Sequence, residues 1–176
     1  FSLAVQVDAV ICTGDFTALG TEREMRSARA AAGPLMAAPL GCVVVPGNHD
    51  LYVADTLRDH RFERHFGDLL GSDMPEYAVG GPWPAVRMWG DDCAVVTVNS
   101  AVPNPGPLRS SGRIDDAQIG SLRRLLGDAR MRGRTVFVAT HYGPLRRDGK
   151  PDHPHHGLEN VEALMQACMS QEALII

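Results

Sequence analysis

Apolar residues gather along this chain in short blocks bounded by polar, glycine or proline positions. Ala9-Val10-Ile11-Cys12, Cys42-Val43-Val44-Val45, Cys93 to Val98 and Thr135 to Ala139 are short and rich in β-branched residues. They predict strands over 8–13, 42–45, 93–98 and 135–139. The block at 42–45 is apolar throughout, as expected of a strand whose sheet is covered on both faces. Between the strands the pattern becomes helical. Thr21 and Glu24 form a capping box for a helix to about Ala32, where Gly33-Pro34 ends it. Val53 to Phe66 reads as one charged helix closed by Gly67. Ile119, Leu122, Leu125 and Leu126 recur at helical spacing behind a capping Asp115. Leu158 to Met169 predicts a further helix, and Ala173 to Ile176 a last strand. The Gly- and Pro-rich stretch 71–90 is expected to hold short antiparallel pieces, and 99–112 to be a loop. Strands alternating with helices predict a mainly parallel α/β fold in one domain over 1–176.

Composition narrows the function classes. The chain has 176 residues, 44% of them apolar, and a net charge of −4. That length supports a real core, and the charge offers no broad basic surface for nucleic acid or an anionic membrane. No apolar stretch approaches the roughly 18 residues of a membrane span. Cys12, Cys42, Cys93 and Cys168 are scattered, with no C-x-x-C pair. They read as reduced thiols, which favours a cytoplasmic protein.

The candidate chemistry lies where the strands end. Thr13-Gly14-Asp15 follows the first apolar block, Gly47-Asn48-His49-Asp50 the second, and Thr140-His141-Tyr142 the block at 135–139. In open α/β sheets ligands bind beyond the carboxyl ends of the strands, so Asp15, Asn48, His49 and His141 are expected to meet. Taken singly, each has a commonplace reading: a turn-capping Asp, a turn Asn that tolerates left-handed backbone, a satisfied His at a strand end. Their shared context turns them toward metal ligation. A carboxylate can bridge two cations, and mixed oxygen and nitrogen donors suit Mn, Fe or Zn.

These motifs resemble those of the calcineurin-like metallophosphoesterases. Asp15 resembles the bridging aspartate of the family's G-D motif, Gly47 to Asp50 its G-N-H-[DE] motif, and His141 its isolated metal-binding histidine. The resemblance implies a four-layer α/β/β/α sandwich and a phosphoester hydrolase of phosphodiesterase type using a two-metal-activated hydroxide. It implies two divalent or trivalent metal ions (Mn, Fe or Zn) and a small-molecule or nucleotide phosphoester as substrate. Asp15, Asn48 and His141 would be metal ligands. His49 would be the proton donor, and Asp50 its partner through the other ring nitrogen. The family's D-x-H and G-H-x-H motifs have no counterpart in the sequence, so the resemblance implies a fold incomplete at both ends and a fragment inactive alone. The competing reading is a catalytically weak scaffold of the same fold, against which the retention of His49 argues.

Other residues carry two readings each. His153, His155 and His156, with Arg146, Arg147 and Lys150, form either a substrate-facing loop or a solvated one. Asn99 either faces the site or makes a turn. Trp83 and Trp89 read as packing residues, and His60 and His65 as solvent-facing members of the charged helix.

Overall fold

The computed structural model describes residues 7–103, 110–153 and 155–176. Strand β1 (Val10–Cys12) pairs in parallel with β2 (Cys42–Val44). A second sheet runs β3 (Ala85–Trp89), β4 (Cys93–Thr97), β5 (Thr135–Ala139), β6 (Leu174–Ile175). β3 lies antiparallel to β4, as the turn-rich stretch 71–90 predicts, and the other pairs are parallel.

The two sheets pack face to face along a seam of Val43, Val95 and Ala139, flanked by Ile11, Trp89 and Phe137. Helix α1 (Glu22–Ala31) and two short helices, α2 (Asp55–Arg58) and α3 (Arg61–Phe66), belong to the outer side of the small sheet. There Met25, Val44, Val45, Phe62, Phe66 and Trp83 make one core cluster. Helices α4 (Asp116–Leu126) and α5 (Val161–Met169) cover the large sheet. Leu122, Leu125, Leu126 and Leu164 pack there on Val86, Val96 and Val138. Burying each such side chain contributes about 1.5–3 kcal/mol. The layers are thus helix, sheet, sheet, helix, the architecture expected from the motifs.

Both predicted caps form. The Thr21 hydroxyl receives the Glu24 N–H while Glu24 reaches back to the Thr21 N–H, and Asp115 receives the Ala117 N–H. The single helix expected over 53–66 is instead broken. His60 sits in the left-handed region at φ 47°, and Arg61 turns inward. Arg61 donates to the Gly20 carbonyl at 2.9 Å and to Asp55 at 2.7 Å, contacts that repay the break. His65 is also not the solvent-facing residue expected. Its Nε2 pairs with Glu22 of α1 at 2.8 Å. His60 is exposed. Trp83 is fully buried and packs as expected. α5 starts later than predicted because Leu158 bridges to Gly112, and Asn160 exchanges hydrogen bonds with the Ile114 backbone. No helix among the described residues is long and apolar enough to cross a membrane.

Candidate metal centre

Every site residue stands just past the carboxyl end of a strand. β1 runs into Thr13-Gly14-Asp15, β2 into Pro46-Gly47-Asn48-His49, and β5 into Thr140-His141. Two glycines let these loops touch. A Cβ on Gly14 would overlap the Gly47 backbone and press on His141 Nδ1, and one on Gly47 would overlap Asp15. Gly14 also has φ 103°, which an L side chain rarely adopts. Asp15 itself is left-handed at φ 57°, a strained setting for a non-glycine residue of the kind that clusters at functional sites.

The side chains then converge. His141 Nε2 lies 3.1 Å from Asn48 Oδ1 and 3.5 Å from Asp15 Oδ1. Its other nitrogen, Nδ1, donates to the Thr13 carbonyl at 2.7 Å. In the neutral ring that bond leaves Nε2 with an unshared lone pair, aimed at two oxygens that also carry lone pairs. Three electron-pair donors facing one another are mutually repulsive until a proton or a metal cation sits among them. A ring nitrogen anchored on a backbone carbonyl is also the usual support of a ligating histidine. Asn48 is buried, His141 nearly so, and Asp15 partly open to solvent. The donor set therefore fits a metal ion. Among the described residues no three His, Cys, Asp or Glu side chains form a metal-holding group; this set has two of those types and an amide.

His49 stands beside the trio. Its backbone N–H donates to Asp15 Oδ1 at 3.2 Å, its ring stacks on Tyr52, and its Nδ1 donates to the Ala18 carbonyl at 2.8 Å. The carbonyl fixes the tautomer, so Nε2 is the nitrogen that can exchange a proton.

Asp50 does not hold the His49 ring, contrary to the expectation from sequence, because Ala18 occupies that place. Its carboxylate is fully buried between the two loops. It receives the N–H of Gly47 at 2.9 Å, of Thr17 at 2.9 Å and of Phe16 at 3.3 Å, and the Thr17 hydroxyl at 2.9 Å. Burial pushes its carboxyl above the ordinary carboxylate range, and these hydrogen bonds oppose that push. Asp50 is thus a brace tying the Asp15 loop to the Asn48 loop.

Asn99 makes an Asx turn, its Oδ1 accepting the Ala101 N–H at 2.9 Å. His153, His155 and His156 lie exposed on a loop outside the trio. Sequence reasoning missed Thr13, Thr17 and Ala18, whose roles run through backbone or loop-to-loop bonds, and Tyr142. The last stands edge-on to His141 at 4.9 Å. Burial, with the charge of Asp15 adding to it, pushes its phenol up to about 12.

Residues 3–168 match the family model described as calcineurin-like phosphoesterase. No curated protein matches the chain.

Proposed function

The chain belongs to the calcineurin-like phosphoesterase family of metal-dependent phosphoester hydrolases, and from that premise we propose that it is a phosphodiesterase-type hydrolase working with two bound metal ions. The observation that carries this reading is the meeting of His141 Nε2 with the Asn48 and Asp15 oxygens at 3.1 and 3.5 Å. Asp15, Asn48 and His141 hold metal in this reading, with Mn, Fe or Zn suited to the mixed donors. Bound cations supply the charge that makes water nucleophilic at neutral pH and offset the charge growing on the phosphoryl group.

The chain's own residues do the rest. Asp15 presents one carboxylate oxygen toward His141 and the His49 N–H, so its loop and the Asn48 loop keep a fixed separation. His49, anchored through Nδ1 on Ala18, holds a proton at Nε2 and delivers it to the departing oxygen. Asp50 keeps the two loops in register from below. The substrate is a small-molecule or nucleotide phosphoester.

The experiment is turnover of an aryl phosphodiester and an aryl phosphomonoester by the purified full-length protein with Mn, Fe, Zn, Co, Ni or Mg, alongside metal analysis. The reading expects bound metal and faster cleavage of the diester. Faster cleavage of the monoester removes the diesterase assignment. A folded protein that cleaves neither ester with any metal is the scaffold of the competing reading.

A further inference from the structure

The hydrolytic reading leaves Arg146, Arg147, Lys150, His153, His155 and His156 unused. All belong to the loop that departs after His141 and returns at Leu158. Arg146 is paired with Asp148 at 3.0 Å. Among the described residues no carboxylate pairs with Arg147 or Lys150, and both are exposed. Farther along the same loop the imidazoles gather: the His153 ring lies 5.1 Å from that of His155 and 5.9 Å from that of His156. His153 Nδ1 accepts the His155 backbone N–H at 3.2 Å. The ring proton of neutral His153 is therefore on Nε2, which makes that nitrogen a donor.

This loop is tied to the metal centre. The His155 carbonyl accepts the Ser110 N–H at 2.8 Å, the Gly157 carbonyl the Gly112 N–H at 3.0 Å, and the Gly112 carbonyl the Glu159 N–H at 2.8 Å. His156 Nδ1 pairs with the Ser110 hydroxyl at 2.9 Å. The Ser110 carbonyl in turn receives the phenol of Tyr142, the neighbour of His141. The Tyr142 ring occupies the space a Cβ on Gly112 would need, so the fit there is tight. One tyrosine and one serine thus separate the histidine loop from a metal ligand.

We propose that this loop is a second anion site, taking a phosphate that the substrate carries beyond its scissile ester. The proposal rests on the hydrolytic reading for its link to substrate. Guanidinium, ammonium and imidazole N–H groups all donate to phosphate oxygens, and charge-assisted bonds of this kind are the strong ones. The neighbouring cavity of about 750 Å³, lined by Asp152, Glu159 and Glu162 among others, carries only acidic charge and does not suit an anion. The donors suited to a phosphate are the loop's own Arg147, Lys150 and imidazoles.

Inorganic pyrophosphate is the probe, titrated calorimetrically into metal-stripped protein. The variants are Lys150→Glu alone, the combination Arg147→Ala, Lys150→Ala, His153→Ala and His155→Ala, and His141→Ala. All the loop positions are exposed, and circular dichroism checks each fold. Pyrophosphate is expected to bind wild type and His141→Ala, and to bind both loop variants at least tenfold more weakly. Raised salt is expected to weaken the binding, since the cations are exposed. In turnover, the combined variant is expected to raise KM at least tenfold for a nucleoside 5′-aryl phosphodiester carrying a 3′-phosphate, and much less for the same ester without it. Equal pyrophosphate affinity in wild type and loop variants overturns the proposal. So does affinity lost in His141→Ala and kept in the loop variants, because the anion then sits at the metal ligands. Loop-dependent pyrophosphate binding by a protein that cleaves neither ester keeps the anion site and sinks the hydrolytic reading instead.

Discussion

The two sheets divide the work unequally. The large sheet rests on the broader core, where Leu122, Leu125, Leu164, Val96 and Val138 are all fully buried, yet of the four candidate site residues it gives one, His141. The small sheet has two strands of three residues, yet it gives Asp15, Asn48 and His49. Its loops are shaped by buried polar groups: Asp50 under the site, Arg61 on the Gly20 carbonyl, Thr17 bridging the two. Hydrophobic burial is non-directional and sets where layers lie. Hydrogen bonds to fixed donors set where a carboxylate oxygen points. The difference teaches that the small half ties its stability to site geometry through the same buried polar groups, whereas the large half stabilises the fold without shaping the site.

The sharpest break is Asp50→Ala. It orphans three backbone N–H groups in a buried place and leaves the Thr17 hydroxyl only the His49 carbonyl at 3.3 Å. An unsatisfied buried donor costs about 1–3 kcal/mol. With partial relaxation the loss should be about 4 kcal/mol, read by urea unfolding, and the protein that remains folded should bind metal at least tenfold more weakly. If that folded protein binds metal as wild type does, Asp50 is not the brace.

Leu122→Ala strikes the other half. The side chain is fully buried, and such truncations cost 2–5 kcal/mol, so about 3 kcal/mol is expected. In a chain this long that lowers the melting temperature by about 6–12 °C. Metal affinity of the folded protein should move less than threefold. A coupled loss of stability and affinity here would mean that the two halves are not separable.

How much of this division the sequence disclosed follows from which forces leave a local trace. Apolar blocks and capping residues do, and so β1, β2, β4, β5, α1 and α4 are readable, as is the meeting of Asp15, Asn48, His49 and His141 beyond the strand ends. Contacts between distant loops do not. Adjacency in sequence points Asp50 to the His49 ring, whereas its partners are Gly47 and, more than thirty residues away, Phe16 and Thr17. The helix over 53–66 was drawn unbroken because nothing local announces that Arg61 reaches Gly20. His65 looked like a surface residue for want of any sign of Glu22. Tyr142 escaped notice because its role depends on Gly112 having no side chain.

His49→Ala tests whether geometry in the small half serves chemistry as well as binding. It is expected to leave metal content intact and to lower turnover about a hundredfold, within the usual range for a general acid. That is about 2.7 kcal/mol of barrier. The defect should shrink for esters with acidic leaving groups, which need less protonation. Metal loss equal to that of Asp15→Asn would make His49 a ligand. A defect constant across leaving groups would assign it to charge stabilisation.

The smallest effect compares one residue type across the two halves. Cys12 and Cys42 stand on neighbouring strands of the small sheet, offset by two positions in register; Cys93 and Cys168 belong to the large half. The neighbouring Cys42 thiol holds the Cys12 thiol down to about 7, against the opposing push of burial, and Cys42 is pushed up in exchange. Burial raises Cys93 against the opposing charge of Arg134, and it takes Cys168 to about 11. The thiolate is the reactive form. At pH 7 about half of Cys12 should therefore be thiolate, against about a hundredth of an ordinary thiol, while its lower basicity gives back most of a factor of ten. The net expectation is that Cys12 is alkylated by iodoacetamide about fivefold faster than an ordinary thiol. Its pH midpoint should lie near 7, and Cys93, equally half-exposed, should lag behind it. Mass spectrometry of timed samples reads each site. Cys42→Ala removes the neighbouring thiol and should erase the advantage, because burial then raises Cys12 as it raises Cys93. If Cys12 reacts no faster than Cys93 in the wild type, polar tuning stops at the site loops and the strands beneath them behave like the rest of the core.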